Sequence, residues 1–282
     1  MMYAGRTAVL ATMHHKDVAI GPALRATAGL EITTVAGLDT DQLGTFTGEI
    51  ERVGTMLDAA VRKARLGMVA ERASLGLASE GSFGPYPGAP FIPAGLELLV
   101  LVDDAAGVVI HEDLWELDTN HAHSVFAPDA DVSAFLERVG FPSHALIVRP
   151  NVGEAGAITA KGVVDVAALF VSMAEAAAHS SDGRALLETD MRANRNPTRM
   201  RSLAVLAERL GRRLATPCPV CAAPGWGRSD VIAGLPCGWC GLPTDLIVTE
   251  IFSCSAGPHR EQRPREDGLT SADPGHCPNC NP

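Results

Sequence analysis

The sequence predicts an α/β protein, a mixed sheet flanked by helices, followed by a small cysteine-rich module at the C-terminal end. Three observations point there. Across residues 7–214 apolar runs of strand length alternate with amphipathic runs of helix length. All seven cysteines lie beyond residue 217, and six of them fall in C-x2-C pairs. The 282 residues, 46% apolar and 20% charged, suit a globular chain long enough for a main domain and an appendage. The expected division is an α/β domain over 1–215 and a module over 216–282.

The elements follow in order. "TAVLAT" is a buried strand, "KDVAIGPALRATA" a helix with Ile20, Leu24 and Ala28 inward, and "LEITTVAGL" a second strand. In the segment 39–67, Ile50, Val53, Leu57, Ala60, Val61 and Ala64 form one apolar stripe, with Thr47 or Gly48 as N-cap and Gly67 as the stop. Glu49, Arg52 and Lys63 fall together beside that stripe on a helical wheel. "ASLGLASEGSFGPYPGAPFIPAG" reads as a short strand feeding an irregular Gly/Pro-rich loop. "LELLVLVDD" and "GVVIHEDLWEL" form a hairpin, and "SHALIVRP" is a further strand. A helix is expected over 161–178. The last one starts at "NPTRM", with Asn196 as N-cap and Pro197 at the first helical position.

The cysteine spacing carries the most specific chemistry. Cys218, Cys221, Cys237 and Cys240 are spaced C-x2-C-x15-C-x2-C, the interval of a zinc ribbon. Two residues between thiolates let one tight turn aim both sulfurs at a single ion, and Zn²⁺ accepts four in a tetrahedron. Cys254, His259, Cys277 and Cys280 offer a second set, in which His276 or solvent could replace His259. The knuckles could equally interleave, the first and third sharing one zinc and the second and fourth the other. Either way one or two structural zinc ions are expected, stapling a segment too small for its own core.

Lys16 follows the first strand, where the carboxyl edge of an α/β sheet receives phosphates. Thr12-Met13-His14-His15-Lys16, Gly48-Glu49-Ile50-Glu51, Gly54, the run 60–64 and "ASEGSFG" resemble the motifs of the inosine/xanthosine triphosphate pyrophosphatase superfamily. Met13 stands where those proteins carry asparagine, and Glu80 supplies one carboxylate where they carry two. The resemblance implies a nucleoside triphosphate pyrophosphatase-like fold and a Mg²⁺-dependent phosphohydrolase. In that reading Glu49 or Glu51 with Glu80 holds Mg²⁺, while Lys16, Lys63 and Arg192 or Arg199 neutralise the phosphates of a nucleotide or another phosphorylated small molecule. A nucleotide sensor without catalysis, whose zinc module docks a macromolecule, is the alternative. Over its whole length the chain resembles a bacterial domain-of-unknown-function family sharing "ASEGSFGP", "NPTRM" and a terminal "CNP". In that family the third knuckle carries a second cysteine at the position of Gly257.

Other classes are disfavoured. A net charge of −10 repels polyanions, and the basic run at Arg260, Arg263 and Arg265 is diluted by Glu261, Glu266 and Asp267, so nucleic acid is not the expected partner. The N-terminal residues lack a secretory pattern, and the most apolar stretch is broken by Lys161, Asp165 and Glu175, so a cytoplasmic chain without a membrane span is expected. The sequence is silent on oligomeric state. "HAHS" lacks a third metal ligand, and Ser82 lacks the Gly-x-Ser-x-Gly frame of a serine hydrolase.

Overall fold

A computed structural model describes residues 2–35, 37, 54–87, 89–154 and 156–281. Its first sheet has the order β2-β1-β3-β4-β5, built from β1 (Thr7–Ala11), β2 (Glu31–Thr34), β3 (Leu75–Tyr86), β4 (Ala89–Asp103) and β5 (Val108–Glu116). β1 runs parallel to β2 and β3, whereas β3, β4 and β5 are antiparallel, so the sheet is mixed as expected. Alternation along the strands separates two apolar faces. Leu77, Leu99 and Leu101 meet α1 (Asp17–Ala28) and α5 (Pro197–Ala215) on one side; Ala78, Leu98 and Val100 meet α2 (Met56–Glu71) on the other.

α5 begins as the sequence predicts, the Asn196 side chain accepting from the Arg199 N–H with Pro197 behind it. Its buried residues Leu203, Leu206, Ala207, Leu210 and Leu214 recur at helical spacing. α1 likewise buries Ile20, Leu24 and Ala28.

Three expectations are corrected. Gly67 does not stop α2, which runs on to Glu71 and ends with Arg72 in the left-handed region. A Cβ on Gly67 would stand 3.3 Å from the Ala11 Cβ, so the residue lets helix and strand approach rather than ending the helix. α2 starts at Met56, capped by Thr55, whose side chain and Asp58 form a reciprocal capping box. The alternative caps Thr47 and Gly48, with Glu49, Arg52 and the first turns of the expected stripe, lie outside the described residues.

The second correction concerns the Gly/Pro-rich stretch, which is not a loop. β3 and β4 run through it as a long hairpin in which Pro85 faces Pro93. Its glycines mark close approach: a Cβ at Gly95 would lie 2.8 Å from the Phe83 ring. Third, residues 160–163 form a strand, and the helix expected from 161 begins only at Val166, capped by Asp165.

A second sheet, order β6-β9-β7-β8, is fully antiparallel: β6 (His123–Phe126), β7 (Leu146–Pro150), β8 (Ala160–Val163) and β9 (Ala185–Thr189). Short α3 (Ser133–Val139) and α4 (Val166–Ala178) complete its core with Phe135, Leu169 and Met173. The C-terminal residues form a three-stranded antiparallel sheet, β10 (Gly227–Ala233), β11 (Ile247–Ser253) and β12 (Arg260–Pro264). It joins the first layer through Arg213 of α5, which donates to the Gly225 and His111 carbonyls and pairs with Glu112. Among the described residues no helix is long and apolar enough to cross a membrane.

Candidate functional sites: a cationic cluster and two cysteine clusters

β1 stops at Ala11 while its neighbour β3 continues, and α1, which follows β1, packs on the opposite face of the sheet from α2, which precedes β3. The region beyond the carboxyl end of a parallel strand is where open α/β sheets accept ligands. The chain turns there through His15, whose φ of 51° is left-handed, and reaches Lys16 at the N-cap of α1. The side chain of Lys16 folds inward, only 5% of the residue being exposed. Its Nζ donates to Ser79 Oγ at 2.8 Å and to the Ser79 carbonyl at 3.4 Å.

Other charged groups converge on it. From α2, Lys63 pairs with Glu80 at 2.5 Å. From α5, Arg199 grips Glu97 with two bonds of 2.5 and 3.2 Å, donates to the Met191 carbonyl, and lies 5.2 Å over the Phe83 ring. Gly81 makes room for that pair, since a Cβ there would stand 2.7 Å from Arg199 Nη2. Arg192 is held by Asp190 through both carboxylate oxygens.

Electrostatics report the crowding. Burial drives the Lys16 ammonium down to about 7; Arg199 and Lys63 push the same way, and Glu97 and Glu80 oppose. His14 is lowered to about 4 by burial and then by Lys16, Arg199, Arg192 and Lys63. Seven side chains from five segments of the chain therefore share one electrostatic neighbourhood.

Of the residues singled out from the sequence, Lys16, Lys63, Glu80 and Arg199 are brought together, and Arg192 joins their field. Glu49 and Glu51 lie outside the described residues. Sequence reasoning missed Ser79 as the partner of Lys16 and Glu97 as the partner of Arg199. Glu97 did leave a signal, being the one acidic residue inside the apolar run "LELLVLV". Among the described residues the sets of three or more metal-ligating side chains are both made of cysteines, so no carboxylate cage for Mg²⁺ occurs there.

The cysteines gather by interleaving. Cys237, Cys240, Cys277 and Cys280 form one set, and Cys218, Cys221 and Cys254 the other. The zinc-ribbon grouping of the first four cysteines is thus replaced by the alternative pairing. The cause is the long hairpin between knuckles: β10 and β11 carry the third knuckle back to the first, and the backbone pairing of Cys237 with Ala272 brings the fourth to the second. The sulfurs stand 3.9 Å apart between Cys237 and Cys280, 3.6 Å between Cys240 and Cys277, and 3.5 Å between Cys221 and Cys254. A tetrahedron with Zn–S bonds near 2.3 Å has edges of about 3.8 Å, so both sets fit zinc. All seven thiols are free of disulfides.

Backbone N–H groups of Cys240 and Trp239 hold the Cys237 thiol down to about 7, while the neighbouring Cys240 sulfur and desolvation push Cys280 up to about 12. Packed thiols of this kind resist full ionisation until a cation joins them. His259 is not among the ligands. Its ring stacks on Trp226 at a centroid distance of 4.9 Å, and its Nε2 faces Glu261 at 3.5 Å.

With this geometry in place, one comparison is informative: the model of a family described as "Domain of unknown function (DUF6671)" matches residues 63–282. No curated protein matches the sequence.

Proposed function

Since the chain belongs to the DUF6671 family, whose description assigns no chemistry, we propose from the geometry that the cationic cluster beyond β1 binds the phosphates of a nucleotide or another phosphorylated small molecule. The finer proposal is hydrolysis of that ligand, as in a nucleoside triphosphate pyrophosphatase. The observation that carries the reading is the convergence of Lys16, Lys63 and Arg199 beyond the carboxyl end of β1.

Physical chemistry supports the assignment. A buried ammonium is costly, and an anion beside it would offset that cost. Lys63 keeps a fixed direction because Glu80 holds it, so an incoming phosphate would meet a preorganised donor, while Arg199, buried against Glu97, adds its charge to the field. Mg²⁺ binds through one or two carboxylates plus the substrate's own phosphates, so Glu80 would suffice on the protein side when the ion arrives with a nucleotide. The cysteine sets, with four thiolates in one case, supply zinc staples.

The alternative is a non-catalytic nucleotide sensor whose zinc module docks a macromolecule. One observation favours it: Glu80 and Glu97 are each engaged by a cation, leaving the hydrolytic role with the weaker support. Incubating the protein with a panel of nucleoside triphosphates and Mg²⁺, while measuring pyrophosphate, phosphate and calorimetric binding, separates the readings. Binding with turnover supports the enzyme, and binding without it the sensor. Lys16→Met is expected to weaken binding roughly 10- to 100-fold, the loss of a charge-assisted bond. Wild-type protein that binds none of the panel, nor inorganic pyrophosphate, removes the proposal.

A further inference from the structure

The two cysteine sets differ in one respect. Cys237, Cys240, Cys277 and Cys280 make a complete tetrahedral donor set, whereas Cys218, Cys221 and Cys254 supply three sulfurs. We propose that the three-cysteine set holds zinc with an exchangeable fourth position, occupied by solvent and open to an external thiol.

The turn between β11 and β12 contains the reason. Cys254 donates its N–H to the His259 carbonyl and accepts at Sγ from the Ala256 N–H at 3.4 Å, which folds residues 255–258 over the sulfur. At Gly257 an ideal Cβ would have one neighbour within 4 Å, the Cys254 Sγ at 3.9 Å. A side chain at this position would start beside one of the three sulfurs, and glycine supplies no donor there. Gly257 is itself exposed, and so is Cys221.

His259 does not fill the gap. Its ring is clamped flat on Trp226, its Nε2 is buried without a hydrogen bond, and Glu261 lies beside it. Among the described residues no other metal-ligating side chain joins the three sulfurs. Zinc with three protein ligands keeps an open position for water or an incoming group, while zinc with four is closed. The donor set decides which incoming group is preferred: three thiolates make the ion soft, and a monodentate thiol matches it. In the exchange the thiol binds as thiolate, its proton passes to bulk solvent, and the bound water departs; no electron moves. The closed and open sites thus have separate roles, a staple in one case and a ligand-binding centre in the other.

Cobalt substitution tests this on the full chain. Loaded with Co²⁺, the protein should take up two ions, and titration with 2-mercaptoethanol should shift the visible bands of one of them to saturation without loss of cobalt. In Gly257→Cys the added sulfur supplies the fourth donor, so the starting spectrum should already match the four-thiolate type and the thiol should cause no shift. The backbone at 257 lies outside the left-handed set, so cysteine is tolerated there. His259→Ala supplies a second measurement that needs no new ligand and should leave the wild-type cobalt spectrum unchanged. Uptake of one ion, a spectrum indifferent to thiol in the wild type, stripping of cobalt by the thiol, or a spectral change in His259→Ala would each overturn the proposal.

Discussion

A single buried amine illustrates how much one residue controls. Lys16 titrates near 7 in the folded chain and near 10.4 in an unfolded one, so between those values the unfolded chain keeps a proton that the folded chain has released. Stability from this residue therefore rises with pH across that window, and below pH 7 the folded state bears the full cost of a buried charge. His14, held near 4, stays neutral throughout. Lys16→Met removes the linkage. Urea unfolding of both proteins at pH 6 and pH 9 should show the wild type gaining on the variant by a few kcal/mol, an order-of-magnitude figure from the size of the shift. Cysteine titration occurs in both and cancels. A gap between the two proteins that is the same at both pH values would mean Lys16 is not desolvated. Phosphate affinity should move the opposite way in the wild type, falling as the pH rises through 7 and the ammonium is lost.

Elements pack through the residues that are missing side chains. α1 and α5 cross where Gly211 faces Thr27: a Cβ on Gly211 would overlap Thr27 Oγ1 at 1.8 Å and approach Thr27 Cβ at 2.9 Å. Gly211→Ala should cost about 1–3 kcal/mol in denaturant unfolding through overpacking, with Thr27→Ala recovering part of it by removing the hydroxyl. Equal stability of Gly211→Ala and wild type would show that the helices slide apart freely. Glycines of this kind also set the limits of what the sequence disclosed. The helix caps at Asn196 and Pro197, the inward faces of α1 and α5, and the cysteine knuckles were legible because each depends on neighbours within a few residues. Gly67, Gly81 and Gly95 were misleading, since a glycine that admits a remote arginine or ring looks in sequence like a loop or helix stop. β9 was not read from the sequence, because "ALLET" gains its strand character only by pairing with both β6 and β7. At the candidate site, Lys16 and Glu80 could be picked out by position along their strands, whereas the Arg199–Glu97 pair, 102 residues apart, is a product of tertiary folding.

At the scale of the whole molecule, the two kinds of chemistry sit on different supports. The five α-helices among the described residues lie between Asp17 and Ala215, and both cysteine clusters lie after them, so helical circular dichroism and metal binding report on separate parts of one chain. The junction is polar and local: Arg213 spans from α5 to the Gly225 carbonyl, and Gly225 itself packs against Ile110 of β5. The exposed pattern of β10 shows how little apolar surface that strand buries, so a metal ion bound by the cysteines would be the main cohesive force of the C-terminal sheet. Trp226 is the natural reporter, buried against His259, Phe252 and Arg263 beside the three-cysteine set, whereas Trp115 and Trp239 are already exposed. Stripping zinc with a strong chelator should shift tryptophan emission to longer wavelength as Trp226 meets water, while the helical signal of residues 17–215 persists. Zinc alone, added back, should reverse the shift. If chelation erased the helical signal as well, the α/β layers would depend on the metal for their own folding, and the assignment of zinc as a local staple would fail.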